Sequence, residues 1–303
     1  MAAAVIVLFM TLGARGRWDF VLPFRGMKVL AMILVAHAIA VSTVLFQTVS
    51  HNRILTPSIM GFDALYVLIQ TGLVFFIGSA SVSALDPRLL FAFEVAAMVL
   101  FSSILYRWLF SGSSRSLHLL ILVGIVLGVL FRSLSGFMQR VIDPSEFVVL
   151  QDRLFANFNS IDGNLLAASA ATLIAASFVG WRLTHVCDVL ALGRETSISL
   201  GVDYGRATTI VLILVAVLVS VSTALVGPVT FFGLLVANLA YQIAGTHRHR
   251  LILPIAALLA VICLIGGQLI LERVFAFDTA LSIVIEFMGG IVFLVILIRG
   301  AAR

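Results

Sequence analysis

The sequence predicts an all-α, polytopic membrane protein with about ten transmembrane helices. Of its 303 residues, 62% are hydrophobic and only 11% are charged, and the mean hydropathy is +1.19. Soluble domains are about half apolar and about a quarter charged, so the composition excludes a soluble enzyme, a disordered chain and a disulfide scaffold. The apolar runs are also continuous, whereas a barrel would show short alternating strands.

Ten apolar runs approach or reach the length of a spanning helix, which needs about 20 residues. They cover residues 1–14, 28–46, 61–82, 89–110, 118–138, 163–183, 207–226, 229–245, 251–271 and 280–298. At about 1.5 Å per residue the first run reaches only about 20 Å. We interpret it as a short or start-truncated helix, since no basic segment precedes it as in a signal peptide. We expect one transmembrane domain over residues 1–303.

Ten spans place both termini on one side of the membrane, and the basic residues favour the cytoplasm. With that orientation, ten basic residues lie in inner loops and eight in outer loops, in the direction of the positive-inside rule. The net charge of +5 is therefore interpreted as topology rather than as nucleic-acid binding.

The inner loop at 184–206 has the clearest local pattern. Gly193 and Gly201 bracket two short helical stretches, and glycine after a helix supplies a left-handed cap. We expect the two helices to form a rigid platform on the cytoplasmic face, with an ordinary solvated loop as the alternative.

Motifs of catalysis are absent from the sequence. It contains no G-x-x-x-x-G-K-[ST] phosphate loop, no H-E-x-x-H and no recognisable nucleophile elbow. We expect no enzyme activity and no metal site. Cys187 and Cys263 indicate neither a disulfide nor a metal site, and His247-Arg248-His249-Arg250 is interpreted as a basic topology anchor.

Ionisable residues within or near apolar runs usually face a cavity or a partner. They are His37, Asp63, Glu94, Arg132 and Glu286. Asp63 follows Thr56-Pro57, a helix-start pattern, so we place it early in a helix. His37 is interpreted as a packed, hydrogen-bonded residue. For Glu94 and Glu286, snorkelling to the interface and lining a polar path are both open.

Three stretches carry a family resemblance. The first is Arg25-Gly26-Met27-Lys28, a span ending at Gln47, and then Asn52-Arg53-Ile54-Leu55-Thr56-Pro57-Ser58-Ile59-Met60-Gly61. The second is the loop at 188–206, and the third runs from Gly227-Pro228-Val229-Thr230-Phe231-Phe232-Gly233-Leu234 through Gly245 to Pro254. They resemble the FecCD-type permeases of type II ATP-binding cassette (ABC) importers, which carry iron–siderophores, haem or cobalamin.

The sequence departs from the family pattern at several positions. Arg53 replaces the first proline of N-P-L-A-x-P-x-x-L-G, and Ala237-Asn238-Leu239-Ala240-Tyr241 replaces P-H-x-x-R. The chain thus resembles a divergent permease of a heterodimeric catecholate-siderophore transporter, which favours a non-identical sister permease over a homodimer.

The resemblance implies the type II importer permease fold and a non-catalytic transport subunit in the bacterial inner membrane. It implies a ferric siderophore as cargo, carried from periplasm to cytoplasm. The implied partners are a second permease, two ATPase subunits that bind ATP and Mg, a periplasmic siderophore-binding protein and the lipid bilayer; this chain would bind no cofactor. The alternatives are haem or cobalamin as cargo, or a stand-alone secondary transporter or channel.

Three sets of candidate site residues follow. For ATPase coupling, the resemblance and the loop pattern indicate Asp188, Leu192, Gly193, Arg194, Glu195, Ser197, Ser199, Leu200 and Gly201. For docking of the binding protein, the resemblance indicates Arg25, Lys28 and Arg273. Polar residues that interrupt or end the apolar runs are expected to line the path, with close helix packing as the alternative: Ser42, Thr43, Gln47, Ser133, Ser135, Thr230 and Asn238.

Overall fold

Long apolar helices dominate the computed structural model. The structure describes residues 1–12, 18–110, 117–159 and 161–274, and positions 281, 283–285, 287 and 289–291. In these residues all regular structure is helical: α1 (Ala2–Thr11), α2 (Trp18–Ser50), a 3₁₀ turn (Pro57–Met60), α3 (Phe62–Ile77), α4 (Ser79–Ala84), α5 (Pro87–Phe110), α6 (Leu117–Val141), α7 (Pro144–Leu154), α8 (Gly163–Arg182), α9 (Thr184–Leu190), α10 (Arg194–Ser199), α11 (Tyr204–Val226), α12 (Phe232–Ala244) and α13 (His249–Arg273).

The helices follow nine of the ten predicted runs. Six helices are long and apolar enough to cross a membrane, namely α2, α5, α6, α8, α11 and α13, and α1, α3 and α12 are shorter apolar helices. The tenth predicted run, 280–298, lies largely outside the described residues, and its described positions are helical. The prediction of an all-α polytopic fold is therefore confirmed.

Two boundaries differ from the sequence prediction. Helix α2 begins at Trp18 rather than near residue 28 and continues through Pro23, which lacks the backbone N–H that would bond one turn earlier. The predicted run 61–82 is divided at Gly78, whose φ of +80° ends α3 and begins α4.

The core of the described fold lies around α2 and α11. In their most apolar windows 78% of α2 and 67% of α11 is buried, against 22% of α6. The outer helices α5, α6 and α8 therefore present apolar surface suited to lipid, and the inner helices position the polar residues described next.

Candidate coupling platform and translocation path

Helices α9 and α10 form a folded unit, the platform, which we define as residues 184–201. Gly193, with φ of +98°, separates the two helices, and Gly201, with φ of +84°, follows α10. The buried Ser197 hydroxyl lies 2.9 Å from the Val189 carbonyl oxygen and 2.7 Å from that of Gly193. The expectation of two short helices is confirmed, and Ser197 is the residue that joins them.

The outward side of the platform combines apolar and charged side chains. Leu192, Leu200 and Ile198 are more than half exposed, and Arg194, Glu195 and Ser199 are exposed beside them. Apolar side chains grouped on a surface commonly mark a protein contact.

Asp188 lies on the opposite side of the platform and contacts the membrane-spanning helices. Its Oδ1 accepts the backbone N–H of His249 at 2.7 Å and lies 2.7 Å from His249 Nδ1. His249 Nε2 lies 2.6 Å from Thr48 Oγ1 in α2. Because Arg248 provides no side-chain cap to α13, Asp188 satisfies an open N–H at that helix start.

His249 was not identified from the sequence. Its side chain is only 2% exposed, so the interpretation of 247–250 as a basic anchor is wrong for this residue. Nothing in the neighbouring sequence distinguishes His249 from the exposed His247, because the partners of His249, Asp188 and Thr48, are distant in sequence.

Three of the predicted path residues line one small cavity. Ser42, Thr43 and Thr230 surround it together with Asp63 and other residues of α2, α11 and the 3₁₀ turn. Its volume of about 20 Å³ has room for about one water molecule. The non-helical segments 51–56 and 227–231 both reach it, and interrupted helices that line a cavity are typical of membrane transport sites.

Helix α12 packs directly against α2 beside this cavity. A Cβ atom added to Gly233 would overlap the Thr43 hydroxyl and lie 3.2 Å from Ile39 Cγ2. The small residue at position 233 therefore allows close packing, and Thr43 contributes to both the cavity and the packing.

Gln47 and Asn238 lie at a different place, around the main chain of Arg53. Gln47 Nε2 donates to the Arg53 carbonyl at 2.8 Å, and Asn238 Nδ2 donates to it at 3.2 Å. The Arg53 guanidinium lies 4.5 Å from the centre of the Tyr241 ring and its Nη2 lies 3.2 Å from His247 Nδ1. Arg53, which departs from the family pattern, thus connects α2 to α12 and to the turn before α13.

Ser133 and Ser135 are not among the residues that line this cavity. Both belong to α6, where Ser133 is exposed and Ser135 donates to the Phe131 carbonyl of its own helix at 2.8 Å. Helix α6 packs on α3 at the outside of the core. A role of these two serines in lining the path stays a prediction.

The predicted docking residues fall in two environments. Lys28 is 4% exposed, and its Nζ lies 2.5 Å from Glu272 Oε1 and 2.6 Å from Asn159 Oδ1. The expectation that Lys28 presents its charge to a binding protein is therefore wrong. It lies inside α2, which begins ten residues earlier at Trp18, and faces α13.

Arg25 and Arg273 both donate hydrogen bonds to backbone carbonyl groups at the C-terminal end of α1. Arg25 Nη1 donates to the carbonyls of Phe9 and Leu12, each at 2.8 Å, and Arg273 Nη2 also donates to Leu12 O. The last carbonyls of a helix have no partners within it and carry the negative end of its dipole. Arg273 remains exposed, whereas Arg25 is partly enclosed.

The other intramembrane polar residues are mostly satisfied within the fold. His37 Nε2 lies 2.7 Å from Ser177 Oγ, as expected of a packed histidine, and Asp63 is in the first turn of α3. Glu94 is buried and accepts from Gln70 Nε2 at 2.7 Å, which excludes snorkelling. It borders a cleft of about 460 Å³. Glu286 lies outside the described side chains.

No metal or redox centre is visible in the described part of the chain. There, no three His, Cys, Asp or Glu residues are grouped to hold a metal ion. Burial raises the pKa of the Cys187 thiol to about 12, so this cysteine stays protonated and is a poor ligand.

The comparison with protein families identifies the class of this chain. Residues 2–299 match the model of the FecCD transport family. The chain belongs to the FecCD transport family. This FecCD chain is 48% identical to the petrobactin import system permease protein YclO of Bacillus subtilis (strain 168), with 94% of this chain and 90% of the relative covered. It is 40% identical to the petrobactin import system permease protein FatC of Bacillus anthracis, with 92% and 78% covered.

A solved structure supports the fold of the FecCD chain. A metal-chelate type ABC transporter in an inward-facing conformation matches with a TM-score of 0.84 and 20% identity, and 98% of this chain and 97% of that chain are covered. The predictions of family, permease class and importer fold are thereby confirmed. The FecCD chain is a transport subunit located in a membrane.

Proposed function

We propose that the chain is the membrane subunit of an ATP-driven importer that carries a ferric siderophore, of catecholate type, to the cytoplasm. The observation that carries this proposal is the platform, a folded, partly apolar surface whose Asp188 is bonded to His249 at the start of α13. A stand-alone secondary transporter has no need of such a surface. The cargo is inferred from the two petrobactin permeases, which share 48% and 40% identity with this chain.

In the proposed assembly the chain has three kinds of protein partner and is surrounded by the lipid bilayer. A second, non-identical permease completes the path, and two ATPase subunits bind ATP and Mg and dock on the platform. A siderophore-binding protein approaches the opposite face, and the bilayer surrounds the outer helices. This orientation places the platform, and with it both termini, on the cytoplasmic side of a bacterial inner membrane.

The path in this proposal passes beside the cavity of Ser42, Thr43 and Thr230. The cavity itself has room for about one water molecule, far less than a siderophore needs. Passage therefore requires α12 to separate from α2. The close contact of Gly233 with Thr43 then corresponds to the closed state of the part of the path that this chain forms.

The proposal is tested by reconstituting the chain with its sister permease and ATPase in vesicles. Radiolabelled ferric petrobactin should accumulate only with ATP and the binding protein. Haem and cobalamin in parallel samples test the alternative cargoes. Uptake by the permeases without the ATPase, driven by an ion gradient, would instead support a secondary transporter.

A further inference from the structure

We infer that Asp188, His249 and Thr48 form a mechanical link from the platform to α2 and α13, and that these three are positioning residues for coupling. The inference rests on the proposed function. The observation behind it is their juxtaposition: one carboxylate of α9, the first residue of α13 and a hydroxyl of α2 are joined by contacts of 2.7, 2.7 and 2.6 Å.

Hydrogen-bond chemistry sets the direction of these contacts. A carboxylate only accepts, so His249 Nδ1 carries a proton and donates to Asp188. The Thr48 hydroxyl is also 2.8 Å from the Val44 carbonyl. When Thr48 donates to Val44, His249 Nε2 donates to Thr48 and the ring is a cation paired with Asp188; when Thr48 donates to Nε2, the ring is neutral. In both arrangements the connection from α9 to α2 is complete.

The half of the link between His249 and Thr48 is protected from water, because His249 is 2% exposed and Thr48 is 6% exposed. Water cannot readily replace a lost bond there. The Asp188 side chain is 31% exposed, so this end of the link borders the surface. Among the described residues, the other side-chain hydrogen bonds of the platform stay within it or reach Trp181 at the end of α8. Asp188 therefore provides the side-chain hydrogen bonds by which α9 holds α13.

The link ends close to the cavity. Thr48 lies five residues after Thr43 in α2, about 7.5 Å along the helix at about 1.5 Å per residue. Thr43 lines the cavity and contacts Gly233 at the start of α12. A displacement of α9 by a docked ATPase would thus reach the contact between α2 and α12 through the side chains of Asp188, His249 and Thr48.

Variants of His249 can separate the two halves of the link. The Asn amide occupies the position of Nδ1, so His249→Asn keeps a donor to Asp188 and loses Thr48. The Gln amide reaches the position of Nε2, so His249→Gln keeps Thr48 and loses the side-chain bond to Asp188. Thr48→Val removes the hydroxyl without changing shape, and Asp188→Asn retains an acceptor for the helix start while removing the charge.

The measurement is the number of siderophore molecules imported per ATP hydrolysed by the reconstituted transporter, with ferric petrobactin as cargo. We expect Thr48→Val and both histidine variants to lower this ratio about tenfold while ATP hydrolysis continues, a coupling effect of usual size. Combining Thr48→Val with His249→Asn should lower it no further, because both remove the same contact. Thr209→Val is the matched control, since within the described residues the Thr209 hydroxyl bonds only the Gly205 carbonyl of its own helix.

The outcomes distinguish the link from the proposed function. An unchanged ratio in Thr48→Val and His249→Gln, alongside ATP-dependent uptake by the wild type, overturns the link alone. A lower melting temperature with an unchanged ratio also overturns the link, because it indicates structural support only. Uptake by the wild-type permeases without an ATPase overturns the proposed function, and the link falls with it.

Discussion

Lys28 and Glu272 form a buried ion pair, with Lys28 Nζ 2.5 Å from Glu272 Oε1, between α2 and α13. Asn159 adds a further contact to the Lys28 ammonium at 2.6 Å. Removing one partner of such a pair leaves a charge buried without its counter-ion, whereas replacing both by apolar groups is often neutral.

Replacing Glu272 should therefore destabilise the fold. We expect Glu272→Ala to cost about 3–5 kcal/mol, and Lys28→Met combined with Glu272→Leu to recover most of that loss. Thermal unfolding of the purified permease in detergent measures both. Arg140→Ala is the control, because Arg140 is exposed at the end of α6. Equal loss in the single and double variants would contradict the importance of the pair.

Ser197 is expected to be the most sensitive residue of the platform. Ser197→Pro removes the bond from its backbone N–H to the Gly193 carbonyl and should cost about 3 kcal/mol. Transport should fail while membrane insertion continues, since α10 is not a spanning helix. Ser197→Ala should have a smaller effect, because it loses only the hydroxyl contacts to Val189 and Gly193. Wild-type uptake by Ser197→Pro would show that α10 has no part in coupling.

The contact between Gly233 and Thr43 can be tested by overpacking. Gly233→Ala places a methyl group on the Thr43 hydroxyl and should cost about 1–3 kcal/mol. It should also reduce uptake, because the added methyl group prevents α12 and α2 from returning to the closed contact that each transport cycle must re-form. Adding Thr43→Ala removes most of the overlap and should restore stability.

Gly266→Ala is the control for that experiment. A Cβ atom at Gly266, within α13, meets no atom of the described residues within 4 Å, and alanine in a helix interior gains about 0.5–1 kcal/mol over glycine. If Gly233→Ala behaved like Gly266→Ala, the close packing of α12 on α2 would be refuted.

Docking on the outer face should depend on Arg273 rather than on Lys28. Arg273 is exposed, so Arg273→Glu should slow association of the siderophore-binding protein, most clearly at low salt, because exposed charges are screened. Exposed ion pairs contribute only about 0.2–1 kcal/mol, so the effect on affinity should be modest. Stopped-flow mixing measures the association rate of the binding protein, with Arg140→Glu as the control. If the binding protein associated at the same rate with both variants, the role of Arg273 would be limited to binding the last carbonyl groups of α1.

Sequence reasoning was most successful where structure depends on local pattern. Helices follow nine of the ten predicted apolar runs, because the length and composition of a run decide whether it can span a bilayer. Gly193 and Gly201 marked the two short helices of the platform, because a positive φ favours glycine over other residues. The stretches at 25–61, 188–206 and 227–254 were sufficient to indicate the family.

Tertiary structure decided which way the polar side chains face. Lys28 pairs with Glu272, and His249 meets both Asp188 and Thr48, although these partners are far apart in the chain. The same packing brings Ser42 to the cavity and leaves Ser133 on an outer helix. A run of residues determines that a helix forms, but the neighbours that bury a lysine or satisfy a histidine come from other helices, and only the packed fold supplies them.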